Sequence, residues 1–168
     1  MRRNKAKAVA LGGVFAALAV VIMCLGGIIP IATYICPMLC AILLAIVFQS
    51  CGKRIAWAWY GAVSILVILV GPDKEAAVVF IFLGYYPIIK PRIDGKKGAF
   101  IWKLLIFNAS IVLMYVLMIY LFRLEQVILD FQGVGIVLTV VTLLLGNVAL
   151  LMLDILLSRL MGTGKKTK

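Results

Sequence analysis

Long runs of apolar residues dominate the pattern along this chain, and only short polar segments separate them. The hydrocarbon core of a bilayer is about 30 Å thick, so a helix that crosses it needs roughly 20 predominantly apolar residues. Six runs approach or reach this length, which predicts an all-α membrane protein with six transmembrane helices in a single embedded domain. The predicted spans are residues 8–29, 31–51, 55–70, 74–89, 99–122 and 133–160.

Glycine and proline mark several boundaries between these spans, because both residues interrupt regular helices. Gly27 and Pro30 separate the first two spans, and Gly71 with Pro72 separates the third from a short fourth. A basic loop is predicted at residues 90–97. The apolar run after the basic N-terminus is longer than the apolar core of a cleaved signal peptide, so we expect it to be retained as the first helix.

The Lys and Arg residues fall almost entirely on one side of the predicted helices. With the N-terminus placed in the cytoplasm, fifteen of the 17 basic residues lie on the cytoplasmic side, and Lys74 and Arg123 lie outside. Because positively charged loops stay in the cytoplasm, this asymmetry predicts a multi-pass protein of the cell membrane with both termini cytoplasmic. Orientation and attraction to anionic headgroups of the lipid bilayer explain the net charge of +11, so no nucleic acid is expected as a partner.

Composition excludes several classes of function. The sequence is 65% hydrophobic and only 14% charged, which is too little charge to cover a soluble domain of 168 residues. It has no histidine, the commonest metal ligand and general base, and its four cysteines fall in or beside apolar segments, where a thiol packs as a small hydrophobe. Catalytic and nucleotide-binding motifs are absent from the sequence. We therefore expect a protein that is not an enzyme and that binds no metal or cofactor.

The first predicted helix carries small residues at helical spacing. Ala8, Gly12 and Ala16 form one row, and Gly13 and Ala17 form the adjoining row. Small side chains at this spacing let another helix approach closely, which favours helix association in a bilayer. Two interpretations remain open: the rows pack against the protein's own helices, or they form a docking face for a second membrane protein.

Two stretches of the N-terminal third carry a wider pattern, KAVALGGVFAALA at residues 7–19 and PIATYICPML at residues 30–39. Together with the chain length and the predicted topology, they resemble the S components of energy-coupling factor (ECF) transporters. S components are six-helix substrate-binding membrane subunits with cytoplasmic termini. An AxxxA-type motif on their first helix packs against a transmembrane T component, which binds two ABC ATPases. The corresponding positions here are Gly12 with Ala16, or Gly13 with Ala17, with glycine in place of the first alanine.

The resemblance implies that the subunit reorients on the T component and that its substrate pocket opens to the outside. Asp73, Lys74 and Glu75 form a charged group at the outer start of the fourth helix, and Tyr34 and Tyr115 offer phenol groups in the outer halves of their helices. All five are candidates for substrate binding, with Lys74 suited to a carboxylate or a phosphate. A structural alternative is that Asp73 caps the fourth helix and Glu75 complements its dipole.

Two amides and two opposite charges lie within the apolar spans. Asn108 and Asn147 are predicted near mid-depth of the fifth and sixth helices, where an amide needs a hydrogen-bond partner, so we expect them to be neighbours. They are candidates both for interhelical hydrogen bonding and for substrate contact. Lys103 and Asp154 lie toward the cytoplasmic side of the same two helices, and we predict an ion pair between them.

The leading hypothesis is a substrate-binding subunit of an ATP-driven ECF-type importer for a small vitamin-like metabolite. Its partners would be a T-type membrane protein and ABC ATPases. The alternative is a membrane scaffold that transports nothing, while a self-assembling channel is disfavoured because no helix carries a continuous polar stripe. A ligand-sized cavity with convergent polar groups in the outer half of helices four to six distinguishes the importer from the scaffold.

Overall fold

The computed structural model describes residues 2–26, 32–95, 98–120, 144 and 146–162, with the side chains at 2–5, 115 and 117–120 outside the description. The helices are α1 Arg2–Gly26, α2 Ala32–Cys51, α3 Lys53–Val70, α4 Lys74–Leu83, α5 Tyr86–Asp94 and α6 Ala99–Tyr120. Residues 146–160 are also helical and form α7. All regular elements in the described ranges are helices, so the predicted all-α class is confirmed.

Four helical segments of the described ranges are long and apolar enough to cross a bilayer, namely Ala6–Gly26, Ala32–Cys51, Lys53–Val70 and Lys74–Asp94. Large apolar side chains cover the outside of the bundle, and Leu69, for example, has 72% of its surface exposed. An apolar surface of this extent fits a lipid environment, so the protein is membrane-embedded. The prediction of six spans includes residues 121–143, which lie outside the described residues, and the number of spans stays a prediction.

Contacts between helices show that α1 and α2 run antiparallel, whereas α2 and α7 run parallel. The thiol of Cys51, at the end of α2, donates to the carbonyl oxygen of Ala8 near the start of α1 at 3.3 Å. Gln49 Nε2 donates to the carbonyl oxygen of Leu160 at 3.4 Å, which brings the end of α7 to the same end of the bundle. This end, called the basic end, carries Lys7, Lys53, Arg54 and Arg159, and the opposite, acidic end carries Asp73 and Glu75.

The fourth predicted span differs from the structure in its second half. The helix is interrupted at residues 84–85 and then continues as α5 to Asp94, beyond the predicted end at residue 89. Pro87 stands at the start of α5, where the missing N–H group is tolerated. Tyr60 Oη donates to the carbonyl oxygen of Ile81 beside the break, which helps to satisfy backbone groups that lipid cannot hydrate.

The prediction of a basic loop at residues 90–97 is wrong for its first half. Residues 90–94 belong to α5, and Lys90 is fully buried rather than solvated. The burial is possible because Asp94 and Asp154 pair with its ammonium group. Asp154 is 64 residues away along the chain, so the local sequence pattern around Lys90 does not reveal this partner.

Two large apolar clusters and one small cluster form the core of the described residues. The first large cluster joins helices α1 through α5 around buried residues such as Met23 and Phe80. The second joins α2, α5, α6 and α7 around residues such as Phe107 and Leu157. The small cluster joins α4 and α6. Because α2 contributes to both large clusters, it lies between α1 and α3 on one side and α6 and α7 on the other.

Candidate functional site

Two hydrogen bonds join the start of α2 to the start of α4 at the acidic end. Thr33 Oγ1 donates to Asp73 Oδ2 at 2.7 Å, and Tyr34 Oη donates to Glu75 Oε1 at 2.7 Å. The other carboxylate oxygen of Asp73 accepts from the backbone N–H of Ala76 at 3.0 Å, the contact of a helix N-cap. The capping role predicted for Asp73 is thus confirmed, and three candidate residues lie together at this junction.

The ammonium group of Lys74 is engaged at the end of α3. It donates to the carbonyl oxygens of Ile68 at 2.7 Å and of Gly71 at 2.9 Å. Carbonyl groups at the C-terminal end of a helix lack intrahelical donors and attract cations. Lys74 therefore has a structural role here, and the geometry does not support its assignment to a substrate carboxylate or phosphate.

A cavity of about 490 Å³ lies between α2, α4, α6 and α7. Its volume falls within the range of roughly 300–1,000 Å³ found for small-molecule sites. The cavity extends from Tyr34, near the acidic end, to Leu153, the residue before Asp154. Glu75 precedes the lining residue Val79 by one turn of α4, so the hydrogen bond between Tyr34 and Glu75 lies at the acidic end of the cavity.

Small and flexible side chains create this space. Gly146 and Ala149 present little volume on the lining face of α7, and a Cβ atom at Gly146 would lie 3.4 Å from Cδ1 of Ile111 on α6. Met38 of α2 and Met114 of α6 lie on the lining as well. Methionine has an unbranched, adaptable side chain, so the cavity can adjust its shape to an occupant.

Comparison with known proteins does not assign a family or a function to this site. The chain has no match among known protein families, curated proteins or solved structures. The role of the cavity must therefore be inferred from its own residues and their contacts.

The two amides predicted to be neighbours are in contact. Asn147 Nδ2 donates to Asn108 Oδ1 at 3.1 Å, and Asn108 Nδ2 lies 3.3 Å from Asn147 Oδ1. Asn108 Nδ2 also donates to the carbonyl oxygen of Leu104 at 2.9 Å. The pair joins α6 to α7, and neither amide is among the lining residues of the cavity. These contacts favour interhelical hydrogen bonding over substrate contact.

Four charged side chains meet between the cavity and the basic end. The predicted ion pair is confirmed, with Lys103 Nζ 2.8 Å from Asp154 Oδ2. Lys103 Nζ also lies 2.5 Å from Asp94, and Lys90 Nζ contacts both Asp94, at 3.2 Å, and Asp154. Tyr86 Oη donates to the same carboxylate of Asp154. Lys90, Asp94, Lys103 and Asp154 are called the ionic cluster below.

The ionic cluster is electrically balanced, with two ammonium and two carboxylate groups. The side chain of Lys90 is fully buried, and those of Lys103 and Asp154 are only 11% and 13% exposed. Charges in such surroundings are stabilised only when they are paired and hydrogen-bonded. The cluster joins α5, α6 and α7 next to the residues that line the end of the cavity, so it both fixes these helices and separates the cavity from the basic end.

The structure distinguishes the two rows of small residues on α1. Gly12 is buried and Ala16 half-buried, and a Cβ atom at Gly12 would lie 3.7 Å from an isoleucine side chain of α3. Internal packing therefore explains the row of Ala8, Gly12 and Ala16. Gly13 and Ala17 are exposed, and nothing lies within 4 Å of a Cβ atom at Gly13. The exposed pair remains as the candidate docking face.

The predicted substrate residues fall into three groups. Tyr34 lines the cavity, and Asp73 and Glu75 lie at its acidic end. Asn108, Asn147 and Lys74 make structural contacts elsewhere, while the side chain of Tyr115 lies outside the described residues. Sequence reasoning missed the apolar lining, because polar residues alone were considered as candidates. The glycine and alanine on the otherwise bulky face of α7 were the available signal. Within the described residues, no group of three or more metal-ligating side chains comes together.

Proposed function

We propose that this protein is the substrate-binding membrane subunit of an ATP-driven importer of the ECF type, and that it captures a small metabolite in the cavity between α2, α4, α6 and α7. The observation that carries this proposal is the cavity itself. A scaffold can pack its helices fully, whereas a capture subunit needs a ligand-sized space, and 490 Å³ is of that size. The convergent polar groups expected in such a site are reduced, among the described lining residues, to the phenol of Tyr34.

The position of the cavity agrees with capture from outside the cell. The basic end faces the cytoplasm by the positive-inside rule, which places the acidic end and Tyr34 on the outer side. The ionic cluster then lies on the cytoplasmic side of the cavity and blocks direct passage through the subunit. Delivery of the substrate therefore requires reorientation of the subunit against a partner, as the resemblance to S components implies.

The exposed face of α1 is the proposed contact with that partner. Gly13 and Ala17 lie next to the exposed small residues Ala6 and Ala10, and together they form a shallow strip with no bulky side chain. Such a strip allows the backbone of a second transmembrane helix to approach closely. Because the sequence contains no nucleotide-binding motif, ATP hydrolysis is assigned to ABC ATPases bound to the T-type partner.

Co-purification tests the proposal. The tagged full-length protein is extracted from its native membranes in a mild detergent, and the retained proteins are identified by mass spectrometry. We expect a T-type membrane protein and two ABC ATPases. The double change Gly13→Leu plus Ala17→Leu should remove them, while Ala58→Leu plus Ala62→Leu, an exposed pair at the same spacing on α3, should retain them.

Retention of unrelated proteins, or of none under conditions that keep known transporter complexes intact, would move the assignment to a scaffold. Equal recovery with both double variants would refute α1 as the docking face.

A further inference from the structure

We infer that the cavity binds an electrically neutral, mainly apolar molecule, smaller than a phospholipid, whose one hydrogen-bonding group lies beside Tyr34. The inference deepens the proposed function and rests on it for the role of the cavity as the substrate site. It narrows the cargo from small metabolites in general to a chemical class.

The described part of the cavity lining offers no partner to a charged occupant. Among the described residues that line it, Tyr34 is the only one with a polar side chain, and the others are aliphatic residues, methionine, proline, alanine and glycine. A charged group moved from water into such surroundings loses its hydration without gaining a partner, which is strongly unfavourable. An apolar body instead gains free energy in proportion to the area it buries.

Among the described residues, the lysines near the two ends of the cavity already contact other groups of the protein. At the acidic end, the ammonium of Lys74 contacts the carbonyl oxygens that end α3. At the other end, Lys90 and Lys103 are balanced by Asp94 and Asp154 within the ionic cluster. A substrate carboxylate or phosphate could recruit these cations only by breaking contacts that hold helices together.

The phenol of Tyr34 provides one polar position. Its hydroxyl group donates to Glu75 Oε1 at 2.7 Å. A hydroxyl oxygen has two acceptor lone pairs beside its donor, so a ligand hydroxyl group can donate to Tyr34 Oη alongside the contacts that this residue already makes. The position of this group near the acidic end orients the ligand, with its polar end toward the proposed outer side and its apolar body toward Leu153.

Photolabelling of the purified full-length protein in lipid nanodiscs tests the inference. The probe is 1-decanol carrying an alkyl diazirine, and labelled residues are identified by mass spectrometry. We expect saturable labelling of lining residues such as Met38 and Met114, competed by excess unlabelled decanol. Ala149→Phe, which fills the cavity, should lower this labelling at least tenfold, whereas Ala62→Phe on the exposed face of α3 should not change it.

Probes with the same chain and a different end group test the charge rule. Decanoate and decylamine that carry the same diazirine should label the lining residues at least tenfold more weakly. No described lining residue offers an ionic partner, and the Asp73 and Glu75 carboxylates at the acidic end already accept hydrogen bonds from Thr33 and Tyr34. Tyr34→Phe should weaken decanol labelling about fivefold, the effect of one lost hydrogen bond of roughly 1 kcal/mol. Equal labelling by the charged probes would overturn the inference.

Labelling with a phospholipid that carries a diazirine on its acyl chain shows whether the occupant of the cavity is a small molecule or a bilayer lipid. Saturable labelling of the lining by this lipid, with none by decanol, would make the occupant a bilayer lipid and overturn the inference. If Ala149→Phe does not fold, competition by unlabelled decanol on the unchanged protein still distinguishes labelling inside the cavity from labelling by probe dissolved in the bilayer. Only labelling inside the cavity saturates.

The two proposals can fail separately, since labelling needs no partner protein. Saturable decanol labelling without co-purification of transporter subunits would refute the importer and retain the ligand class. Co-purification of transporter subunits without saturable decanol labelling would retain the importer and refute the ligand class.

Discussion

Neutralising Asp154 should destabilise the protein far more than any exposed charge does. Its carboxylate accepts from Lys90, Lys103 and Tyr86, and without its charge the ionic cluster holds two ammonium groups against the single carboxylate of Asp94. Breaking a buried pair costs about 3–5 kcal/mol of the free energy of unfolding. Because the side chain of Asp154 retains 13% exposure, we expect Asp154→Asn to lie near the lower limit, about 3 kcal/mol.

We attribute the destabilisation of Asp154→Asn to the loss of charge balance in the ionic cluster rather than to the loss of contacts. Further variants distinguish these two causes. Lys103→Met alone leaves two carboxylates with one ammonium and should also cost about 3 kcal/mol. The double variant Asp154→Asn plus Lys103→Met restores balance, since Lys90 and Asp94 remain paired at 3.2 Å. The double variant should therefore lose about 2–3 kcal/mol less free energy of unfolding than the two single variants together, a coupling typical of residues in one network.

The free energies are measured by reversible unfolding in mixed micelles of dodecyl maltoside and increasing sodium dodecyl sulfate, followed by circular dichroism. Arg159→Gln, an exposed charge on α7, is the control and should stay within about 0.5 kcal/mol of the unchanged protein. If the losses of the two single variants add up to the loss of the double variant, charge balance does not explain the destabilisation. An Asp154→Asn variant as stable as Arg159→Gln would refute the stabilising role of the ionic cluster.

Three further predictions concern contacts that hold the helices together. Asp73→Ala removes both the cap of α4 and the hydrogen bond from Thr33, so it should lower the free energy of unfolding by about 2 kcal/mol in the same assay, with Asp73→Asn losing less. Asn108→Leu and Asn147→Leu each remove the hydrogen bonds between the two amides, so their separate losses of unfolding free energy should add up to more than the loss of the double variant; additive losses would contradict the pairing. Gly26→Val should destabilise by about 1–3 kcal/mol, because a Cβ atom there would lie 2.9 Å from a thiol sulfur of α2, whereas Gly13→Val meets open space and should leave the monomer's stability unchanged.

Much of the secondary structure was predictable because membrane helices are recognisable in a sequence as long apolar runs. The predicted bounds of the second and third spans differ from α2 and α3 by at most two residues at either end. The contacts between Asn108 and Asn147 and between Lys103 and Asp154 were predictable for a related reason. A polar group in hydrocarbon needs a partner, and each of these spans offers few others.

The errors arose where a local pattern hides a distant partner. The cluster of basic residues at 90–97 predicts a polar loop, whereas Lys90 is buried because it pairs with Asp154 in another helix. The two rows on α1 could not be ranked from spacing alone. The choice depends on which face α3 covers, and the sequence around Gly12 does not show that.

The cavity was the least predictable feature. It is a volume left between four helices, set jointly by small residues such as Gly146 and Ala149 and by the positions of helices far apart in sequence. Of the polar candidates whose side chains the structure describes, only Tyr34 is among the lining residues.

Native mass spectrometry of the complex extracted from its own membranes tests the central claim most directly, because it weighs partners and ligand in one experiment. The account predicts an assembly of this chain with one T-type membrane protein and two ABC ATPases. On activation, the assembly should release a neutral small molecule, and this molecule should be missing from the Ala149→Phe variant. A chain that is found alone or with unrelated proteins, and that releases nothing but phospholipid, would contradict the account.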